Sequence, residues 1–283
     1  MDTKMDLRPP IRRSWLRLRL GKAYYTGKRY LLWCSPKYRW AKIRKEERLP
    51  CVQFSHATPL MRHLRGEEMV WQENKVTNLR LAVKRLDGLI LYPGETFSYW
   101  KRIGKPTARK GYKEGMVLFL GQIGGDIGGG LCQLSNLLFW LFLHAPLTVV
   151  ERHGHGTRDF PDPDGGMPLG VDATISEGWL DLKVKNETAD TFQLRLSFDP
   201  EHLTGRLLSS AEPEAVYRVV NGAVTYWRRD GAVYEEAEVV REKFPAGGDE
   251  AAESQLLYRN VCRIGYPLPE GIPVIEKEKG ARL

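Results

Sequence analysis

Long apolar segments and secretory signals are missing from the 283-residue sequence. The longest apolar stretch, residues 134–150, is interrupted by two polar residues, a histidine and a proline. It therefore falls short of the roughly 18 continuous apolar residues that a membrane-spanning helix requires. Residues 12–21 (RRSWLRLRLG) hold four arginines and lack the unbroken apolar core of a signal peptide. From these absences we expect a cytoplasmic protein, or one attached peripherally at the inner face of the membrane.

Cysteine is scarce, and its spacing excludes two common structural uses. The four cysteines are widely separated along the chain, at Cys34, Cys51, Cys132 and Cys262. This spacing fits neither a disulfide framework nor a CxxC zinc knuckle. The glycine-rich segment also lacks the GxGxxG and GxxxxGK[ST] patterns, which disfavours a nucleotide site.

Acidic residues are few in the first fifty residues, where 15 Lys and Arg accompany 4 Asp and Glu. The rest of the chain holds 28 basic and 31 acidic residues, so the net charge of +8 belongs to one segment. Seven aromatic residues are interleaved with these cations. Three interpretations stay open: a solvated helical extension, contact of residues 1–50 with an anionic membrane surface, and nucleic-acid binding. The last is disfavoured because no nucleic-acid motif accompanies the charge.

Apolar periodicity predicts an α+β fold, in which a mixed core is followed by an antiparallel β-rich part. Residues 76–86 have helical spacing, and residues 134–144 are too apolar for a surface helix, so we expect a buried central helix there. The predicted strands are residues 89–92, 116–120, 147–152, 182–185 and 191–198.

Two turn signals predict hairpins near the end of the chain, at Asn221-Gly222 and Asp230-Gly231. Residues 243–253 are expected to form an exposed loop. The predicted organisation has three segments. These are a basic, aromatic-rich segment 1–60, a core domain 61–185 that holds the candidate site, and a β-rich part 186–283.

Cys132 lies in the densest group of residues that could carry chemistry, the sequence GGGLCQLS. It follows three glycines at the predicted start of the buried helix, where the positive end of the helix favours a thiolate. The glycine amides could approach a reacting carbonyl and hold its developing oxyanion. The alternative is structural: Cys132 is a small buried residue, and Gly128, Gly129 and Gly130 form a tight turn into the helix.

Two histidines follow about twenty residues later, in the sequence ERHGHG. If the preceding strand continues, His153 and His155 face the same side, and either could serve a thiolate as its base. Asp172 is a candidate to orient the imidazole, or else a turn or capping residue. Arg152 is a candidate to bind a substrate carboxylate, or it pairs with a surface acid. His-x-His with Asp172 or Cys132 would also suit zinc, although no HExxH motif is present.

Five short segments form an ordered set that points to a family. They are residues 72–75 (QENK), 93–98 (PGETFS), 128–133 (GGGLCQ), 150–155 (VERHGH) and 171–174 (VDAT). Residues 178–182 (GWLDL) and 266–269 (YPLP) extend the pattern. Together they resemble the VanW family, which includes accessory proteins of B-type vancomycin (glycopeptide) resistance.

The resemblance implies a site built around the cysteine of the GGGxCQ segment. Some larger exported proteins with this domain are associated with peptidoglycan L,D-transpeptidation that uses this cysteine. Carried over to this chain, the resemblance makes Cys132 the nucleophile, His155 or His153 the base, and Asp172 the orienting group. The candidates for binding substrate or oxyanion are Gly128, Gly129, Gly130, Gln133, Ser135 and Arg152.

Three functional hypotheses follow. The leading one is a cysteine-dependent acyl transferase that acts on peptidoglycan peptides or cell-wall precursors and needs neither cofactor nor metal. The second is a non-catalytic accessory module that binds a precursor, an envelope enzyme or the membrane surface. The third is a metal-dependent hydrolase that uses the HxH motif. Nucleic acid is not an expected partner.

Overall fold

The structure is a computed structural model, and it describes residues 14–61, 68–119, 122–158 and 167–277. Its helices and strands are, in chain order, α1 (Trp15–Cys34), β1 (Arg39–Trp40), β2 (Cys51–Pro59), α2 (Glu68–Leu86), β3 (Ile90–Leu91), β4 (Glu95–Ser98), α3 (Tyr99–Ile103), β5 (Glu114–Phe119), β6 (Gln122–Ile127), α4 (Cys132–Leu143), β7 (Thr148–Glu151), β8 (Thr157–Arg158), β9 (Lys183–Lys185), β10 (Phe192–Phe198), β11 (His202–Ser209), β12 (Ala215–Arg229), β13 (Ala232–Pro245), β14 (Glu253–Ile264) and β15 (Val274–Glu276). Within these ranges no helix has both the length and the apolar character needed to cross a membrane.

The chain divides into two compact units that are each discontinuous in sequence. The larger unit comprises Ile11–His153 and Ala173–Pro213. It contains one sheet in the order β1-β4-β9-β7, a second in the order β2-β11-β10-β3, and the hairpin β5-β6. The smaller unit includes Gly154–Asp172 and Glu214–Leu283, and its sheet has the order β15-β12-β13-β14-β8. The α+β class is therefore confirmed, and the three predicted segments stay a prediction.

Helix α4 lies at the centre of the larger unit. Nine of its twelve residues are buried, because its sequence is apolar on all sides. The helix packs on β2 and β11. It approaches β11 closely at Gly205, where an added Cβ would lie 2.7 Å from Cδ1 of Leu141. The predicted buried helix is confirmed, and it begins at Cys132.

The smaller unit is built on three long antiparallel strands, β12, β13 and β14. Asp230 and Gly231 have positive φ values of 49° and 76° and form the turn between β12 and β13, as predicted. The other predicted hairpin, at Asn221, is wrong. Asn221 lies within β12 at a bulge, where its side-chain amide donates to the carbonyl oxygen of Leu169 at 2.9 Å and accepts from its N–H at 2.8 Å. These distant partners hold Asn221 inside a strand.

Several other boundaries differ from the sequence prediction. Helix α2 begins earlier than predicted, at Glu68, and β13 continues to Pro245, which shortens the predicted loop. Part of the glycine-rich segment forms β6, which pairs with β5. Strand β7 ends at Glu151, so the condition under which both histidines would face the same side of a strand is not met. Residues 1–13 of the basic segment and residue 120 of a predicted strand lie outside the described residues.

Candidate functional site

Cys132 is the first residue of α4 and is half-buried. Leu131 precedes it as the N-cap without a side-chain hydrogen bond. Among the described residues, no protein acceptor is present for the backbone N–H groups of Gly130, Leu131 and Cys132. The first N–H groups of a helix carry partial positive charge and favour anions. The start of α4 therefore places unengaged donors at the residue that carries the thiol.

The glycines before Cys132 are required by close backbone packing. Gly129 lies directly against Gly115 of β5, and a Cβ on Gly129 would be 2.0 Å from the carbonyl oxygen of Gly115. Asn78 of α2 fixes this contact, because its side-chain amide donates to the carbonyl oxygen of Gly129 at 2.9 Å. Gly130 has a φ of 87°, and a Cβ there would meet Cγ of Lys75 at 2.2 Å. The geometry thus supports the structural interpretation of these glycines.

The same turn already engages two of the amides that were predicted to bind an oxyanion. The N–H of Gly128 donates to the carbonyl oxygen of Lys113 at 3.0 Å, and the N–H of Gly129 donates to that of Asp126 at 3.0 Å. In this conformation the N–H groups of Gly128 and Gly129 form hydrogen bonds that stabilise the turn, and they are not available to an oxyanion. The amides at and just before Cys132 are the better candidates for binding an oxyanion.

Gln133 and Ser135 both hold α4 in place. The side-chain amide of Gln133 donates to the carbonyl oxygen of Pro59 at 2.7 Å and to Oγ1 of Thr58 at 3.1 Å. Ser135 is fully buried, and its Oγ donates to the carbonyl oxygen of Ala173 at 2.6 Å. Each side chain therefore has a structural role, and the predicted role in substrate binding stays a prediction for both.

A short chain of hydrogen bonds connects the first turns of α4 with His153. The backbone N–H of Ala173 donates to Oδ1 of Asn136 at 2.8 Å, beside the bond from Ser135 to the carbonyl oxygen of Ala173. The next residue, Thr174, donates its N–H to the carbonyl oxygen of His153 at 2.7 Å. The larger unit thus links the helix of Cys132 to His153 through two consecutive residues.

The His153 side chain pairs with Glu151, which is absent from the predicted site residues. Nε2 of His153 lies 3.1 Å from Oε1 of Glu151. A carboxylate accepts hydrogen bonds, so this contact assigns the proton to Nε2 and makes Nδ1 the basic nitrogen of a neutral imidazole. This is an imidazole–carboxylate pair of the kind that supports a nucleophile.

Glu151 is the centre of a charged network, which we call the Glu151 cluster. Its members are Arg29, Glu151, His153, Asp181 and Lys183. Arg29 of α1 binds Glu151 with two parallel N–H···O bonds of 2.7 Å each, and Nζ of Lys183 lies 2.8 Å from the same carboxylate. The backbone N–H of Asp181 donates to Glu151 at 3.1 Å. A carboxylate with this many donors is fixed in position.

Burial and charge oppose each other in the Glu151 cluster. Burial alone would raise the pKa of Glu151, but the hydrogen bonds from His153, Arg29 and Lys183 outweigh it and hold this pKa well below its ordinary range. Glu151 is therefore ionised at neutral pH. Burial raises the pKa of the neighbouring Asp181, although its carboxylate accepts a hydrogen bond from Ser98 at 2.6 Å.

His155 and Asp172 form a second imidazole–carboxylate pair, and it belongs to the smaller unit. Oδ2 of Asp172 is hydrogen-bonded to Nδ1 of His155 and also accepts the backbone N–H of His155 at 2.7 Å. The carboxylate thus fixes both the ring and the backbone of the histidine. In this pair Nε2 is the basic nitrogen of the neutral ring.

Arg152 and Tyr99 line the interior of the larger unit. Arg152 is buried, with its guanidinium carbon 5.7 Å from the centroid of the Phe139 ring, and both of its predicted roles stay predictions. The hydroxyl of Tyr99 donates to the carbonyl oxygen of Leu131, next to Cys132, at 3.1 Å. Burial, with a smaller electrostatic contribution from the Cys132 side chain, raises the pKa of Tyr99 well above its ordinary range, which keeps the phenol protonated.

The larger unit therefore contains Cys132, the glycine turn, Gln133, Ser135, Arg152 and His153, whereas His155 and Asp172 belong to the smaller unit. Glu151 stands in the ERHGHG segment two residues before His153, and that spacing is the one signal that could have indicated it. No local sequence pattern around Arg29 or Lys183 indicates that these residues bind Glu151. In the part of the chain that the structure describes, no three His, Cys, Asp or Glu residues form a cluster that could hold a metal ion.

Comparisons with known proteins agree on one family. The model of the VanW-like protein family matches residues 74–208. The vancomycin B-type resistance protein VanW of Enterococcus faecalis is 43% identical over 253 residues, which cover 89% of this chain and 90% of that protein. The uncharacterised protein YoaR of Bacillus subtilis is 37% identical over 110 residues, covering 39% of this chain and 35% of that protein. No solved structure matches. The chain belongs to the VanW family.

Proposed function

We propose that this protein is an accessory factor of glycopeptide resistance that transfers acyl groups of cell-wall peptides through Cys132. The observation that carries the proposal is the position of Cys132, half-buried at the first residue of a buried helix with unengaged N–H groups around it. The relative from Enterococcus faecalis, a vancomycin B-type resistance protein, supports the resistance context. Peptidoglycan peptides or their precursors are the proposed substrates.

The proposed reaction has two steps. The Cys132 thiolate attacks a peptide carbonyl, and the backbone amides at the start of α4 bind the oxyanion. The tetrahedral intermediate collapses to a thioester, and the leaving amine takes a proton from an imidazolium. An acceptor amine or water then attacks the thioester, gives its proton to the imidazole and releases the thiolate.

His153 is the proposed proton carrier. Glu151 holds its Nε2–H, so Nδ1 can accept the thiol proton, and the cations around Glu151 keep the carboxylate ionised. The hydrogen bonds through Ala173 and Thr174 support a fixed relation between His153 and α4. No cofactor enters this reaction.

The reactivity of Cys132 tests the proposal directly. We expect iodoacetamide to alkylate Cys132 faster than the other three cysteines, because the unengaged N–H groups at the start of α4 favour a negatively charged sulfur. Mass spectrometry over a pH series measures this. Cys262 is the internal reference, since burial and the Glu235 carboxylate raise its pKa to about 12. With tetrapeptide muropeptides as substrates, Cys132→Ala should lower any transfer or hydrolysis by a factor of about 10³ or more.

The proposal is wrong if Cys132→Ala retains full activity on an active muropeptide. It is equally wrong if Cys132 reacts no faster than the exposed Cys34 across the pH series. That second outcome would favour the non-catalytic accessory module. Circular dichroism of Cys132→Ala confirms that the variant is folded.

Matched histidine variants identify the base. We expect His153→Ala to slow the alkylation of Cys132 and to slow turnover about 10²–10⁴-fold, the usual contribution of a general base. His155→Ala serves as the comparison, since it removes the imidazole that Asp172 orients. If only His155→Ala has these effects, His155 is the base, and the role that we assign to Glu151 and His153 is incorrect.

A further inference from the structure

Helix α1 has one face that is attached to the larger unit. Arg29 and Trp33 lie one helical turn apart on this face. Arg29 binds Glu151, and the carbonyl oxygen of Trp33 accepts hydrogen bonds from Nε1 of Trp40 at 2.9 Å and from Nζ of Lys101 at 3.2 Å. The C-terminal half of α1 is therefore fixed against the protein.

The opposite face of α1 is apolar and faces solvent. Leu16, Leu20, Ala23, Gly27 and Leu31 recur every three or four residues and form one stripe along the helix. Leu20 is 62% exposed and Leu31 is 75% exposed. Every residue of this stripe is exposed. An apolar stripe of this length on a solvent-facing helix marks an interaction surface.

The charge beside this stripe has one sign. Helix α1 contains five Lys and Arg residues and no Asp or Glu. Arg17 and Lys28 lie on one flank of the stripe, and Arg19 lies on the other, as their spacing on the helix requires. Tyr24 and Tyr30 are also exposed on this side. Apolar and aromatic side chains flanked by cations are the pattern of a helix that lies in the interface of an anionic bilayer.

We propose that the outward face of α1 binds the surface of an anionic lipid bilayer. In that orientation the leucines enter the boundary between headgroups and acyl chains, and the cations meet the lipid phosphates. Arg29, on the other face, keeps its bonds to Glu151. A polynucleotide would use the cations and leave the leucines in water, and a second copy of the chain would place like charges together. An anionic bilayer is the partner that takes up both the apolar stripe and the cations that flank it. This inference is independent of the chemistry proposed for Cys132.

Vesicle co-sedimentation of the full chain tests the proposal. We expect binding to phosphatidylglycerol-containing vesicles, weaker binding as NaCl is raised, and little binding to pure phosphatidylcholine. Leu20→Glu should weaken binding at least about tenfold, since it places a charge in the apolar stripe. Arg17→Gln with Arg19→Gln should weaken it about fivefold per cation removed. Leu256→Glu is the matched control, because Leu256 is also exposed but lies on β14.

Four outcomes would overturn the proposal. The first two are no binding to anionic vesicles and equal binding by wild type and Leu20→Glu. The other two are an equal loss of vesicle binding in Leu20→Glu and Leu256→Glu, and equal binding to anionic and neutral vesicles. Analytical ultracentrifugation adds a separate arm: a dimer that Leu20→Glu dissociates would assign the stripe to a second copy. Oligonucleotide binding that survives Leu20→Glu while vesicle binding is absent would assign the cations to nucleic acid. Normal circular dichroism shows that the exposed substitutions leave the fold intact.

Discussion

Replacing Glu151 with alanine is expected to lower the free energy of unfolding by about 3–5 kcal/mol. The substitution leaves Arg29 and Lys183 without the carboxylate that both bind at 2.7 to 2.8 Å. Both cations are largely buried, with side-chain exposures of 10% and 4%. Water cannot replace the lost partner fully, so the cost is mainly that of two buried, poorly compensated charges. Denaturant unfolding followed by circular dichroism measures the change.

Glu187→Ala is the matched control for this prediction. Glu187 also pairs with a lysine at 2.7 Å, but its side chain is 49% exposed. We expect its removal to change stability by less than about 1 kcal/mol, because solvent screens an exposed pair. Equal destabilisation by the two substitutions would contradict the special role of the Glu151 cluster.

The pH dependence of stability gives a second check on Glu151. Its pKa is lower in the folded protein than in the unfolded chain, so its contribution is fully present above its ordinary pKa of about 4.5. That contribution is lost as the pH falls below this value toward the folded pKa. The difference in stability between wild type and Glu151→Gln should therefore narrow below a pH of about 4.5. A difference that stays constant into the acid range would show that the ionised carboxylate is not what stabilises the fold.

Gly129→Ala is expected to destabilise the protein by about 3 kcal/mol or more, or to prevent folding. The new Cβ would lie 2.0 Å from the carbonyl oxygen of Gly115 and 2.2 Å from its carbonyl carbon. Both are backbone atoms of β5, so relief requires that the strand or the turn move. That movement would also break the hydrogen bond of 2.9 Å from Asn78 to the carbonyl oxygen of Gly129. The melting temperature and the yield of folded protein measure the effect.

Gly124→Ala distinguishes this clash from a general effect of glycine replacement. Gly124 lies in β6 of the same hairpin, but a Cβ there would have no heavy atom within 4 Å. We expect little change or a slight gain in stability, since alanine restricts the unfolded chain. If the two variants are equally stable, the close backbone contact is not the reason that Gly129 must be a glycine.

The parts of the fold that were predictable from sequence depend on local patterns. The apolar run that forms α4 and the Asp230-Gly231 turn each have a signal within a few residues, and both predictions are confirmed. Asn221 carries the same kind of turn signal, but its side chain bonds to Leu169, which is 52 residues away in sequence. These hydrogen bonds hold Asn221 in a strand, and no local pattern contains them.

The residues of the candidate site also differ in whether local sequence indicates them. Cys132 could be selected from its glycines and its position before an apolar helix, and Asp172 contacts one of the two candidate histidines, His155. The role of Glu151 depends on Arg29, 122 residues earlier in the sequence. An ion pair over such a separation leaves no trace in residue spacing.

The hydrogen bond between Thr174 and His153 has a consequence for the order of synthesis. It joins two segments of the larger unit that flank residues 154–172 in the sequence. The last residue of the larger unit, Pro213, is synthesised before β14. Strand β14 is the parallel partner of β8, which lies within residues 154–172. During synthesis the larger unit can therefore fold first, and β8 can pair only after β14 has been synthesised.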